Sequence, residues 1–156
     1  MGNCFEKKIT PIKQDIVQSP PYKEKNYYQF NYDKLYCLIV EDNLITQLLI
    51  SKYLKEIGFE VIVRDNIDSS MYIIYSWLKH SKYIKRKLLI LMDNYLGVGM
   101  TGIELCGVVS KNENLTILGM SSNELEKQFI LCGSKGFIQK PFNKKKLEEY
   151  INKYFI

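Results

Sequence analysis

Five residues with reactive or charged side chains come directly after short apolar stretches of the sequence. They are Glu41 and Asp42 after LYCLIV (35–40), Asp93 after LLILM (88–92), Ser121 after LTILGM (115–120), and Lys140 after GFIQ (136–139). If these stretches are parallel strands, their carboxyl ends meet at the edge of the sheet where open α/β folds bind ligands. The sequence therefore predicts carboxylates, a hydroxyl and an ammonium group around one site.

Three acids held close together need a compensating charge. Two unit charges ~4 Å apart at an effective dielectric near 20 repel by about 4 kcal/mol, so either some acids are protonated or a divalent cation binds. Oxygen ligands with open positions suit Mg²⁺, which also binds phosphate oxygens. Asp93 beside such an ion is equipped to attack a phosphoryl group and form an aspartyl phosphate. Lys140 would then offer a positive charge, and Ser121 a hydrogen bond, to phosphoryl oxygens.

The segment GVGMTG (97–102) points to a different chemistry, because it formally matches the G-x-G-x-x-G of dinucleotide-binding folds. That motif places its first glycine directly at the strand end, usually in the first strand–helix turn, and an acid ends the next strand. Here DNYL (93–96) intervenes, the unit is the third, and Ser121 ends the next strand. We therefore interpret GVGMTG as a flexible loop beside the site that matches by chance.

The chain from Leu35 onwards alternates between strand and helix patterns. Strands are predicted at 35–40, 60–64, 88–92, 115–120 and 136–139. Helices are predicted from a cap at Asn43 to Ile57 with Gly58 as the stop, over 69–80 after a cap at Asp68, over 101–110 and 123–132, and to the end after a cap at Asn143. Because the strands are continuously apolar, both faces of the sheet are expected to be covered by helices. The predicted fold class is α/β, with a doubly wound, five-stranded parallel sheet.

Composition and charge exclude several classes of protein. The 156 residues are 46% hydrophobic and 25% charged, which is typical of one soluble domain. The longest apolar run is too short to cross a bilayer, and no secretory signal is visible. The four cysteines are far apart, which favours neither a zinc site nor disulfides and indicates the cytoplasm. The net charge of +5 comes without a nucleic-acid motif, so we expect no nucleic-acid partner and interpret the lysines as solvated surface.

Residues 1–34 differ from the rest of the sequence. They contain Pro20–Pro21, and their apolar residues do not recur with the period of a helix or a strand. They predict an irregular tail that packs at most in part. Its start, MGNCFEKK, resembles N-myristoylated proteins in which Gly2 is acylated beside a palmitoylated Cys4, although Glu6 stands where that motif has Ser or Thr. One acyl chain binds a membrane only marginally, so Cys4 or nearby lysines would have to contribute. A tail tethered to the cytosolic face of a membrane and an unmodified cytoplasmic tail both remain open.

The region 35–156 resembles the response-regulator receiver domain of two-component phosphorelays, which has a flavodoxin-like fold. The match is carried by LIVEDN (38–43), LLILMD (88–93), ILGMS (117–121) and GFIQKPF (136–142). This resemblance implies a phosphoacceptor, a Mg²⁺ site, a phosphate contact that precedes a cis proline, and a switch pair. Asp93 would be the phosphoacceptor, and Glu41, Asp42, Asp93 and the carbonyl of Tyr95 would bind Mg²⁺. Lys140 would contact the phosphate, and Ser121 and Phe137 would form the switch pair. The loop after the acceptor departs from the family pattern, because Leu96 and Gly97 replace Met-Pro and the loop is one residue longer.

The resemblance also implies a binding switch rather than a turnover enzyme. With no room for an output domain in 1–34 or after Ile156, we expect a stand-alone receiver. It would take its phosphoryl group from a phosphohistidine on a histidine kinase or phosphotransfer protein and then bind an unknown downstream protein. Tyr95 and Asn123 would line the path of the hydrolytic water. Two alternatives are a receiver-like interaction module that is never phosphorylated, and an aspartyl phosphatase, which would need a second acid where Tyr95 stands.

Overall fold

The structure, a computed structural model, describes residues 27–81 and 85–156. In chain order the elements are β1 (Leu35–Val40), α1 (Leu44–Ile57), β2 (Phe59–Arg64), α2 (Ile67–Ser81), β3 (Leu88–Asp93), α3 (Gly102–Val109), β4 (Leu115–Ser121), α4 (Glu126–Leu131), β5 (Gly136–Gln139) and α5 (Lys144–Tyr154). The predicted alternation of strands and helices is confirmed. In these described ranges no helix is both long enough and apolar enough to cross a membrane.

All five strands are parallel and form one sheet in the order β2-β1-β3-β4-β5. The chain moves from β1 outward to β2, then returns past β1 to β3 on its other side. The carboxyl ends of β1 and β3 are therefore neighbours at the point where the direction of winding changes, and a crevice opens there. This arrangement confirms the predicted doubly wound, flavodoxin-like architecture.

Two layers of helices cover the sheet. Residues that alternate along a strand point to opposite faces, so Leu88, Ile90 and Met92 belong to one core cluster and Leu89 and Leu91 to the other. The first cluster packs under α2, α3 and α4, and the second under α1 and α5. Burial on both faces explains why the strands read as continuous apolar runs rather than alternating ones.

The predicted limits of most helices agree with the structure. Asn43 caps α1 by accepting a hydrogen bond from the Thr46 backbone N–H, and Asn143 caps α5 in the same way. Gly58 ends α1 with φ +110°, a left-handed conformation that glycine adopts without steric cost.

Two predictions about helix starts are wrong. Asp68 does not cap α2, because the helix begins at Ile67 and the Ser69 N–H donates instead to the side chain of Asn66. The fourth helix begins at Glu126 rather than Asn123, and no side chain caps it. Both Asn66 and Asp68 are residue types that commonly cap helices. Because α2 begins soon after the end of β2, Asn66 rather than Asp68 precedes the helix.

The segment 27–34 has no regular secondary structure, yet part of it packs against the domain. Tyr28, Phe30 and Tyr32 lie against the core cluster under α2. The Phe30 ring meets Trp77 and Tyr36 edge-on, with centroid distances of 4.8 and 5.1 Å. The earlier part of the predicted tail, including Gly2 and Cys4, lies outside the described residues.

Candidate functional site

The three predicted acids meet at the carboxyl edge of the sheet. Glu41 follows β1 and Asp93 ends β3, so the pairing of these strands brings their side chains together. Carboxylate oxygens of Glu41, Asp42 and Asp93 all lie within 4.8 Å of one another. Glu41 is only 1% exposed and Asp93 only 4%, whereas Asp42 is open to solvent. Two of the three negative charges are therefore largely removed from water.

Lys140 brings the positive charge to this cluster. Its Nζ atom donates to the Glu41 carboxylate at 2.8 Å and lies 3.1 Å from an oxygen of Asp93. The residue follows β5, and its backbone N–H donates to the carbonyl of Ser121 at 2.8 Å. A cis peptide bond joins Lys140 to Pro141, as the family resemblance implies. One ammonium group is thus shared by two buried carboxylates.

The charges of the site shift the ionisation of its members. Burial raises the pKa of Asp93 and the negative charge of Glu41 raises it further, with Lys140 offsetting part of this effect. Burial on its own would lower the pKa of Lys140, but its hydrogen bond to Glu41 and the charge of Asp93 outweigh burial and raise that pKa. The amine therefore stays protonated at neutral pH and leaves the acids in excess. Such a cluster of carboxylate oxygens with an exposed member fits Mg²⁺.

Backbone contacts hold Glu41 in place. Its carboxylate accepts a hydrogen bond from the Asn43 N–H at 3.0 Å, and its own N–H donates to the carbonyl of Arg64 at 3.0 Å. The side-chain amide of Gln47 donates to the Glu41 carbonyl. Gln47 was not predicted from the sequence; the signal that could have indicated it is an amide side chain one helical turn after the Asn43 cap.

Ser121 and Tyr95 line the same hollow as the acids and Lys140, which has a volume of about 490 Å³. Ser121 is buried, and its hydroxyl accepts a hydrogen bond from the Asn123 N–H at 3.1 Å. That contact lies within the turn before α4, so Ser121 does not cap the helix itself. The Tyr95 side chain is 55% exposed and stands at the rim.

Phe137, the other predicted switch residue, lies outside this hollow. It is buried, and its ring packs on Phe129 with a centroid distance of 5.7 Å. Phe137 lines a separate groove of about 850 Å³ between α4 and the start of α5. The two predicted members of the switch pair thus face different cavities of the molecule.

The glycine at the end of GVGMTG has a packing role. A Cβ atom on Gly102 would lie 1.9 Å from the carbonyl oxygen of Asp93, so only glycine lets α3 begin this close to the end of β3. The buried Asn94, which sequence reasoning missed, ties the same two elements together. Its carbonyl accepts from the Gly102 N–H at 3.0 Å, and its side chain accepts from the Ile103 N–H at 3.2 Å. This accounts for the glycine without a pyrophosphate.

Large apolar side chains lie exposed on α1 beside the hollow. They are Leu44, Ile45, Leu48 and Leu49, with exposed fractions between 44% and 78%. Ile45 and Leu49 also line the hollow. The buried side of the same helix is formed by Ile50 and Leu54. These two sets could not be separated from the sequence alone, because both consist of aliphatic residues.

The structure combines a doubly wound parallel sheet with two acids after β1, an aspartate at the end of β3 and a lysine–proline pair after β5. Together these features define a class of α/β domain with an aspartate at the centre of its site. The family model of the response regulator receiver domain matches residues 37–152. The chain belongs to this family of signalling modules. The resemblance inferred from the sequence is confirmed.

Individual relatives are distant. The heme response regulator HssR of Staphylococcus saprophyticus is 27% identical over 115 residues, which are 71% of this chain and 47% of that protein. The chain thus spans about half the length of this curated relative. Among solved structures, the chemotaxis response regulator CheY4 of Vibrio cholerae matches with a TM-score of 0.60 and 22% identity, over 77% of this chain and 98% of that one.

A further solved structure is the receiver domain of the sensor histidine kinase PA1611 from Pseudomonas aeruginosa, with a magnesium ion coordinated in its active-site cleft. It matches with a TM-score of 0.58 and 22% identity, over 78% of this chain and 97% of that domain. At this level of identity the likeness concerns the fold.

Proposed function

We propose that this protein accepts a phosphoryl group on Asp93 from a phosphohistidine of another protein, and that the modification changes which protein it binds. The observation that carries the proposal is the position of the Asp93 carboxylate, between two further acids and the Lys140 amine. An isolated acid at a strand end needs no such surroundings. A nucleophile that must meet a dianionic phosphoryl group does, because negative charge builds up beside it.

The residues of the hollow divide the chemistry between them. An oxygen of Asp93 forms the bond to phosphorus as the bond to the histidine nitrogen breaks, and the imidazole leaves with that electron pair. The Lys140 ammonium group, now paired with Asp93 and Glu41, is in reach to donate to a phosphoryl oxygen. The Ser121 hydroxyl, which lines the same hollow, would donate to another. Glu41, Asp42, Asp93 and the Tyr95 carbonyl would hold Mg²⁺, which neutralises charge on the phosphoryl oxygens when bound.

The donor would dock on the exposed apolar residues of α1. Leu44, Ile45, Leu48 and Leu49 recur at i, i+1, i+4 and i+5, which forms one stripe along a helix. Such a stripe fits between two helices of a partner, and its position beside the hollow would bring a histidine on those helices to Asp93. A histidine kinase or a histidine phosphotransfer domain would supply this helical surface.

Phosphorylation would be read out at the groove that Phe137 lines. A phosphoryl group would draw the Ser121 hydroxyl away from its present partner, the Asn123 N–H. Asn123 leads into α4, and α4 packs on Phe137 through Phe129. Movement at Ser121 would therefore shift the balance between two packings of α4 and β5, and with it the affinity for a downstream protein.

Phosphorylation by acetyl phosphate with Mg²⁺, followed by intact-protein mass spectrometry, tests the acceptor. We expect the parent protein to gain one phosphoryl group and the Asp93→Asn variant to gain none. Asp33→Asn is the matched control, because it makes the same chemical change in an exposed residue just before β1. If the parent gains no phosphoryl group although Mg²⁺ binds, the unphosphorylated interaction module replaces this proposal.

Donor docking is tested separately with Leu48→Glu. We expect this variant to be phosphorylated normally by acetyl phosphate but at least about tenfold more slowly by a phosphohistidine protein, because a charge would be buried at the docking surface. Val108→Glu on α3 is the control, since Val108 is 56% exposed against 63% for Leu48. Equal slowing by both variants would count against a docking site on α1.

A further inference from the structure

Four lysines surround a second hollow, at the end of the sheet opposite the acids. Lys85 and Lys87 precede β3, Lys111 lies between α3 and β4, and Lys135 precedes β5. Because the strands are parallel and β3, β4 and β5 are neighbours, these residues meet at the amino ends of the strands. The hollow has a volume of about 510 Å³, and Glu113 is the one acid in its lining. We name Lys85, Lys87, Lys111 and Lys135 the basic face.

Glu113 offsets only one of the four positive charges of the basic face. All four side chains are exposed. Over residues 27–81 and 85–156, the ion pairs within 4.0 Å involve Lys34, Lys140 and Lys144, and none involves the basic face. Concentrated and unpaired positive charge produces a local potential that attracts anionic surfaces.

Exposed apolar side chains border the basic face. Leu131 is 86% exposed and Val108 is 56% exposed, near the carboxyl ends of α4 and α3. These helix ends are joined, because the Ser110 hydroxyl donates to the carbonyl of Cys132 at 2.8 Å. Lys111 follows this contact directly. Positive charge next to a protruding leucine suits a membrane surface, where headgroups attract the lysines and the acyl boundary takes up the apolar side chain; nucleic-acid phosphates would use the lysines alone.

The chain enters the domain at the same end. The Tyr28 N–H lies 3.3 Å from the Ser76 hydroxyl, and the Lys79 ammonium lies 3.7 Å from the centre of the Tyr27 ring. Ser76 and Lys79 are in the last turns of α2, which leads toward Lys85 and β3. Tyr27 and Tyr28 therefore lie at the end of the domain that carries the basic face, far from Asp93.

We propose that the basic face binds the anionic surface of a phospholipid membrane, with Leu131 and Val108 at the acyl boundary. In that orientation the acidic hollow points away from the bilayer and stays open to donor proteins. The proposal rests neither on phosphorylation of Asp93 nor on acylation of Gly2 or Cys4, because the basic face is formed by the folded domain.

Vesicle co-sedimentation of the full chain, made in bacteria without an acyltransferase, tests the proposal. The probes are phosphatidylcholine vesicles with and without phosphatidylserine. We expect binding only to the vesicles that contain phosphatidylserine, and weaker binding at high salt. The triple variant Lys85→Glu, Lys111→Glu, Lys135→Glu should lower the partition coefficient by at least about 100-fold, since each lysine near such a surface contributes about fivefold. Leu131→Gln should lower it by about threefold or more.

The matched control is the triple variant Lys52→Glu, Lys145→Glu, Lys146→Glu, which changes the net charge equally at exposed lysines of α1 and α5. We expect it to retain most of the binding. Equal loss in both triple variants, or equal binding to both kinds of vesicle, would overturn the proposal. The proposal would also be overturned if the protein bound duplex DNA more tightly than the vesicles and if Leu131→Gln left this DNA binding unchanged. Acetyl phosphate labelling of the basic-face variant should match the parent, which separates this proposal from the phosphorylation proposal.

Discussion

Replacing Lys140 by methionine removes the single ammonium group that Glu41 and Asp93 share. Methionine retains most of the volume of the side chain but none of its charge. Glu41 is 1% exposed and Asp93 is 4% exposed, so water cannot take over the role of the amine. The variant therefore keeps two buried negative charges close together without compensation.

The loss can be estimated from the burial of the pair. Removing one partner of a buried ion pair costs about 3–5 kcal/mol, and the Lys140 side chain retains 16% exposure, which favours the lower limit. We expect the free energy of unfolding at pH 7 without Mg²⁺ to fall by about 3 kcal/mol. This corresponds to a melting temperature lower by roughly 6–12 °C for a chain of this size.

The effect of pH follows from the shifted ionisation of the two groups. The pKa of Asp93 is raised, so acidification neutralises this carboxylate early and removes the charge that Lys140 compensates. The difference between parent and variant should therefore shrink as the pH falls from 7 towards 4. The pKa of Lys140 is also raised, so on the alkaline side its stabilising contribution is complete at neutral pH and is lost as the pH rises through that raised pKa. Added Mg²⁺ should restore part of the lost stability by supplying positive charge.

Urea denaturation of both proteins at several pH values, with and without Mg²⁺, measures these quantities. Lys144→Met is the matched control, because Lys144 pairs with Glu56 at 3.0 Å while both side chains are well exposed. Exposed pairs contribute about 0–1 kcal/mol. Lys140 does not compensate the two buried carboxylates if Lys140→Met costs no more stability than Lys144→Met, or if its cost is independent of pH and Mg²⁺.

Three further predictions concern the loop, the rim of the site and the N-terminal segment. Gly102→Ala places a Cβ atom 1.9 Å from the Asp93 carbonyl, so we expect a loss of about 2–3 kcal/mol in denaturation and slower phosphorylation; Gly107→Ala, with its nearest neighbour at 4.0 Å, should cost no more than about 1 kcal/mol. Tyr95→Ala should speed loss of the phosphoryl group at least about threefold in a mass-spectrometric time course, because the bulky ring at the rim obstructs the hydrolytic water; an unchanged decay rate would exclude this role. Phe30→Ala should lower thermal stability by about 2–3 kcal/mol through loss of its contacts with Trp77, and an unchanged melting temperature would show that the segment does not stabilise the domain.

Some features of the site follow from local sequence alone. Asp93 directly follows five apolar residues, and Lys140 directly precedes a proline, so both must lie where a strand ends. The caps at Asn43 and Asn143 are equally local, because one side chain reaches a backbone N–H three residues away. Such contacts are fixed by spacing along the chain, and spacing can be read directly.

Other features needed the folded chain. Gln47 and Asn94 hold the backbone at the site, but their side chains are of ordinary types and gain their role from an approach that only packing creates. Leu48 and Leu54 are of the same residue type and lie on one helix, yet Leu48 is exposed and Leu54 is buried. The difference depends on which side of the helix faces the sheet.

Local sequence patterns were enough to predict the order of the strands along the chain, their burial on both faces, and which reactive groups end them. The folded chain was needed to reveal that Lys140 contacts both Glu41 and Asp93, and that Lys85, Lys111 and Lys135 meet at the other end of the sheet. The physical reason is that spacing along one strand or helix is set by local backbone geometry, whereas the distance between residues as far apart as Glu41 and Lys140 depends on how the strands pair.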